Sequence, residues 1–171
     1  MRNFTFNLTI CIFLTFNTHR VGVGTGRNNR NRNIYPYIGG SFEGPGGKGI
    51  VLPGGGDWGL QHPTSGVQEL DIRIHLVTDD GVAVYGTCSG IIQLTPEDWE
   101  KFGAGNLDIN PIRSIGHWRF EVDGESKYAH LNQAMCIGHV TMKQVDGDLA
   151  ACWAIYDVTN DAIGPHPLAK M

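Results

Sequence analysis

Four cysteines in 171 residues, none of them in a Cys-x-x-Cys pair, leave this sequence without zinc-finger spacing and without a written disulfide framework. Cys11, Cys88, Cys136 and Cys152 are each flanked by apolar or small residues. They read as inert buried thiols in a reducing compartment. No apolar run approaches the ~20 residues that span a bilayer, so no membrane partner is expected. Charge is sparse as well. Charged residues make up 18% and the net charge is −4, which gives the whole chain no attraction to nucleic acid. Histidine occurs seven times but never as His-x-His, so a cupin-type metal site has no support and no metal is expected. Ser-His-Asp, Walker and dinucleotide signatures are absent, and "GVGTG" at 22–26 lacks the strand-to-helix context that would make it one. No cofactor is expected.

What the chain does have is glycine, 24 residues of it, set mostly between short apolar runs. That pattern favours many turns and an all-β fold in a single domain. The first segment, "MRNFTFNLTICIFLTF", has the early arginine and apolar middle of a secretory signal. Its parity argues for a strand instead. Phe4, Phe6, Leu8, Ile10, Ile12, Leu14 and Phe16 fall on even positions, and only Phe13 breaks the alternation. The sequons at Asn3 and Asn7 matter only under the signal reading. "GRNNRNRN", with Arg27, Arg30 and Arg32, reads as a polar loop, with a phosphate-binding patch as its sharper alternative.

Alternation returns in "ELDIRIHL", where Leu70, Ile72, Ile74 and Leu76 share one face and Asp71, Arg73 and His75 the other. "DDG" at 79–81 predicts a hairpin turn, because Asp-Gly tolerates positive φ. "VAVYGTCSGII", "GHWRFEV", "YAHLNQAMCIGHVTMKQV" and "LAACWAIYDV" continue the series, to about eight or nine strands. One helix is predicted in "LTPEDWEKFG". Thr95 caps it, Pro96 takes the first position, Asp98 completes a capping box, Leu94 and Trp99 have staple spacing, and Gly103 can end it. The reading is a single antiparallel up-and-down β-barrel over 1–158 with an irregular tail over 159–171. A two-sheet sandwich is the other home for such strands.

The segment "GIVLPGGGDWGL", 49–60, poses the functional question. Its glycines either make a plain bend between strands or set Asp57 and Trp58 at the mouth of a pocket. A carboxylate against indole in a dry pocket has a raised pKa and is usable as an acid or base near neutrality. Asp71, Arg73 and His75 are either a solvated face or the lining of a barrel bore. The barrel reading takes them inward. Arg73 would then grip an anionic oxygen on a ligand, oriented by Asp71 or Glu43.

"GGSFEGPGGKGIVLPGGGDW", "ELDIRIHLVTDDGVAVYGTCSG" and "KYAHLNQAMCIG" together resemble the domain of unknown function 3237 family over nearly the whole chain, to about Val158. The resemblance implies a calycin-like β-barrel, often dimeric, with no generally established activity. Its matching polar positions are Glu43, Asp57, Trp58, Asp71, Arg73, Tyr85, Tyr128 and Asn132. Two departures stand out: His130 replaces an expected aromatic, and "GTCSG" is smaller than the usual filling. Three functions follow as expectations. The first is an isomerase, cyclase or lyase acting on a small, largely apolar oxygenated metabolite. Asp57 would be its acid/base, Arg73 its charge stabiliser, and Tyr85, Tyr128 and Asn132 its oxyanion donors. Trp58, Glu43, Asp71, His75 and His130 would hold the substrate. The second is a carrier with the same pocket, and the third a structural dimer. The expected partners are a small molecule and a second copy of the chain. The expected location is the cytoplasm, with the peroxisome as alternative because the sequence closes on Ala-Lys-Met.

Overall fold

Period-two patterning becomes nine antiparallel strands in the computed structural model, which describes residues 5–14, 21–25, 29–44, 46–104, 106, 112–145 and 148–159. They are β1 (Thr5–Leu14), β2 (Val21–Thr25), β3 (Asn31–Gly44), β4 (Gly47–Gln61), β5 (Val67–Thr78), β6 (Ala83–Gln93), β7 (Arg113–Val122), β8 (Cys136–Val145) and β9 (Asp148–Asp157). Each strand from β3 to β9 pairs with its sequence neighbour, and β1 pairs with both β9 and β3. That double pairing closes an eight-stranded barrel and rules out a sandwich. The ninth strand, β2, extends the line of β1 along β3: Leu14 faces Tyr37, and Val21 then faces Ile34.

The first segment is therefore a barrel strand, with Ile10 and Ile12 fully buried as its parity requires. "GVGTG" supplies most of β2. The arginine-rich stretch is only partly a loop, because β3 begins at Asn31; Arg27 lies outside the described residues. So do residues 146–147 of the last predicted turn and the tail from 160 onward.

An eight-stranded bore is narrow enough for side chains to fill it. On β5 the inward series is Gln68, Leu70, Ile72, Ile74, Leu76 and Thr78, all buried. Within the bore, Trp118 stands edge-on to Trp153, with ring centroids 5.3 Å apart, both fully buried like Ile74. The thiols are not uniform. Cys88 and Cys136 are free and buried, but Cys152 is disulfide-bonded, against the expectation of four inert thiols. Register sets Cys152 opposite Cys11 on the adjacent strand, a proximity that spacing in the sequence does not reveal.

The predicted helix, α1 (Pro96–Gly103), forms as its start signals require. The Thr95 side chain accepts from the Asp98 backbone N–H at 3.1 Å and donates to the Asp98 carboxylate at 2.8 Å. Two bonds moor it to the barrel. The Leu94 N–H and the Trp99 indole both donate to the Gly66 carbonyl, at 3.1 and 2.8 Å. Among the described residues no helix is long and apolar enough to cross a membrane.

The stretch after β7 departs from expectation. Tyr128 does not begin a strand; residues Ala129–Gln133 form a 3-10 helix, and β8 starts only at Cys136. The preceding "DGES" does turn, through the Ser126 N–H to the Asp123 carbonyl. The "DDG" turn also forms as expected, with Gly81 at φ 85° and the Thr78 N–H bonded to the Val82 carbonyl.

Candidate functional site

The glycines of β4 make a bulge, and the bulge decides where Asp57 goes. Leu52 faces His75 and Gly56 faces Arg73, so four steps on β4 oppose two on β5. Gly54 takes φ 101°, and a Cβ on Gly55 would lie 2.4 Å from the Arg73 carbonyl oxygen. Only glycine lets β4 lie that close to β5. Past the bulge the strand resumes with Asp57 pointing inward, 6% exposed. Trp58 points outward, so the acid and the indole do not share a pocket.

Asp57 lines a cavity of about 50 Å3 at one end of the bore. Tyr35, Tyr37, Gln68, Leu70 and Ile72 form one side, and Leu94, Trp99 and Phe102 of the α1 region cover the end. A short relay orients the acid. The Tyr35 hydroxyl donates to Gln68 Oε1 at 3.4 Å, and Gln68 Nε2 donates to Asp57 Oδ2 at 3.2 Å. The Asp71 backbone N–H donates to Asp57 Oδ1 at 3.1 Å. Burial dominates these bonds and raises the Asp57 pKa from 3.8 to about 7. The nearby Asp71 carboxylate raises it further, and the Arg32 guanidinium opposes the rise. Tyr37, buried beside it, is held well above its ordinary pKa by burial and by the Asp57 charge, so it stays a neutral hydroxyl.

The rest of the expected constellation is dispersed. Arg73, Asp71 and His75 stand on the outer wall, because the narrow bore is already filled by the isoleucines and leucines of the opposite parity. Arg73 donates to Asp71 at 3.2 Å, and its guanidinium lies 5.0 Å from the Trp58 ring centroid. His75 faces Tyr85 across the strands at 5.8 Å, also outside. Glu43 is exposed and borders a surface groove with Lys48 and Asp79. Asn132 is exposed too, and both ends of its amide are engaged: it accepts from the Val122 N–H and donates to the Val122 carbonyl, each at 2.9 Å. It ties the 3-10 helix to β7 and does not line the Asp57 cavity. Tyr128 and His130 sit at the far end of the bore, on a separate cavity of about 150 Å3. In the 3-10 helix His130 no longer shares a strand face with Asn132.

Sequence reasoning missed Tyr35, Tyr37 and Gln68. A signal for Gln68 was present, since it has the same parity as Leu70, Ile72 and Ile74. The arginines of the early stretch are likewise part of this end: Arg30 pairs with Glu69 at 2.6 Å, and Arg32 donates to the Trp58 carbonyl. No group of three metal-ligating side chains is assembled among the described residues.

Comparison with known proteins gives the fold a context. A family described as "Protein of unknown function (DUF3237)" matches residues 4–160. No curated protein matches. The chain is similar to the crystal structure of a conserved protein of unknown function from Rhodopseudomonas palustris. Identity is 25% and the TM-score 0.74, over 92% of this chain and 98% of that one. A β-barrel-like protein from Acinetobacter baumannii matches at 25% identity and TM-score 0.68, over 92% and 97%. An enzyme from Penicillium herquei has the same fold at 19% identity and TM-score 0.52, over 91% and 98%.

Proposed function

The chain belongs to the DUF3237 family of proteins of unknown function, and from that premise we propose that it binds a small, largely apolar oxygenated molecule at the Asp57 end of the bore and acts on it by acid–base chemistry. The observation that carries this reading is the raised pKa of Asp57, about 7, in a wall made, apart from the Gln68 amide, of aromatic and apolar side chains. A carboxyl tuned to neutrality has comparable populations of acid and base at working pH, which general acid–base catalysis requires. Tyr37 replaces the donors expected from the sequence. As a buried neutral phenol it can hydrogen-bond an oxygen that gains negative charge, while Asp57 takes or returns the proton. Isomerisation, cyclisation and elimination all fit a pair of this kind. That an enzyme from Penicillium herquei shares the fold is compatible with such a role.

The cavity as it stands is about a third of the ~150 Å3 that accommodates a benzene ring. A substrate therefore has to displace the covering side chains Leu94, Trp99 and Phe102. The test compares wild type and Asp57→Asn after gentle isolation, releasing any retained molecule for chromatography and NMR. Catalysis predicts that the variant retains a compound that wild type converts into another. If both proteins hold the same compound and neither changes it, the protein is a carrier and the acid–base role is wrong.

A further inference from the structure

The second cavity, at the opposite end of the bore, has no part in the Asp57 chemistry. We propose that it is a separate binding site for a single-ring molecule of benzene size carrying one hydroxyl group. Its volume is about 150 Å3. An apolar cavity of that size takes benzene when its walls are aliphatic and aromatic. Here the walls are Phe42, Leu76, Val84, Phe120 and Ile155, with Leu131 of the 3-10 helix at the rim.

The two cavities are distinct spaces. Along β5, Leu70 and Ile72 line the first and Leu76 lines the second; Ile74, fully buried, lies between them and lines neither. Trp118 on β7 is likewise fully buried and lines neither cavity, two residues before Phe120 of the second.

Polar chemistry at this end is selective. The Thr78 hydroxyl is committed, donating to the Val82 carbonyl at 3.2 Å and accepting from the Val82 N–H at 2.8 Å. Tyr128 is different. It is 6% exposed, and its hydroxyl stands 3.0 Å from where a Cβ on cavity-lining Gly47 would fall. That hydroxyl donates its one proton to Asp80 Oδ1 at 3.0 Å, and Lys127 holds Asp80 as a carboxylate from 2.8 Å. With its proton committed, the oxygen can only accept; Lys127 engages one of its two lone pairs, which leaves the other for an occupant. The occupant must therefore donate, which selects an O–H over a carbonyl or ether.

The probes are 4-fluorophenol and fluorobenzene, titrated into the whole protein and followed by 19F NMR. Both should bind saturably, the phenol about fivefold more tightly, which is the size of one net hydrogen bond. Tyr128→Phe should erase that preference and leave fluorobenzene unchanged. Leu131→Trp, at the half-buried rim, should abolish both, whereas Ile92→Trp in the Asp57 cavity should abolish neither. Absence of saturable binding, survival of binding in Leu131→Trp, or its loss in Ile92→Trp would overturn the proposal. If the rim variant fails to fold, the wild-type Cys136 thiol gives a second reading, since it lines the same cavity. 4-Fluorophenol must slow its alkylation by iodoacetamide, and an unchanged rate counts against the site. The acid–base reading at Asp57 survives either result.

Discussion

The Gln68 amide donates to Asp57 Oδ2 at 3.2 Å from the neighbouring strand, with both side chains buried in the barrel. This bond favours the ionised carboxyl, yet burial outweighs it and the Asp57 pKa stays near 7. The pair thus holds a carboxyl whose charge is unfavourable in the fold and whose orientation is fixed.

Stability should fall with rising pH because of Asp57. In the unfolded chain it ionises near 3.8, and in the folded chain near 7. Between those values the folded state holds a proton that the unfolded state has released. Stability therefore decreases across that window and levels off above it. The full change is on the order of 4 kcal/mol. Asp57→Asn should remove this dependence. Urea unfolding at several pH values between 4 and 8 checks it, and parallel curves for the two proteins would contradict the burial of the acid.

Gln68→Leu should move the same transition further. Loss of the amide donor leaves the carboxylate with the Asp71 N–H as its remaining described donor, so the Asp57 pKa rises above 7. Carboxyl 13C shifts followed against pH report it directly. A midpoint that falls instead would mean the amide oxygen, not the nitrogen, faces Asp57.

Arg73→Ala should cost no more than about 1 kcal/mol, because the Arg73–Asp71 pair is half exposed on the outer wall. The change should be visible in Trp58 fluorescence, since the guanidinium lies over that ring. A loss of several kcal/mol in denaturant titrations would put Arg73 back inside the barrel.

These outcomes also mark what the sequence could express. Alternation on β1 and β5 and the capping residues of α1 are local signals, and each produced the expected element. Which face of β5 turns inward is not local. It depends on a bore too narrow for Arg73 but well filled by Ile72 and Ile74, and closure of the barrel is set by β1 meeting β3. Charged residues on a strand suggested function, whereas the ordinary rule of apolar inside would have placed them correctly and found Gln68 as well. The Tyr128–Asn132 stretch was misread because its alternation is accidental; the strand cannot start until Cys136, after the 3-10 turn. The position of Cys152 opposite Cys11 is a matter of register alone.

Gly66→Ala should disturb the end of the barrel that α1 covers. Gly66 has φ 69°, and an added Cβ would sit 1.8 Å from the Leu94 carbonyl oxygen. Both the backbone angle and the clash oppose alanine, for a loss of about 2–3 kcal/mol. The moorings from Leu94 and Trp99 would loosen together, so Trp99 should become more accessible to quenching by iodide. If its accessibility does not change, the helix is held by contacts other than the Gly66 carbonyl.

Asn132→Ala tests whether the residue is a strut or a catalytic donor. Its amide reproduces one rung of strand pairing on Val122, beyond the short β7–β8 ladder at Gly116–Trp118. Removing it frees one N–H and one carbonyl at an exposed position where water can replace the lost partners. The cost should be about 1–2 kcal/mol. Exchange of the Val122 amide hydrogen should accelerate while Gly116–Trp118 amides keep their protection. A catalytic donor would behave differently: its loss would leave Val122 exchange and stability untouched and lower turnover alone. The two patterns do not overlap, so one pair of measurements assigns the residue.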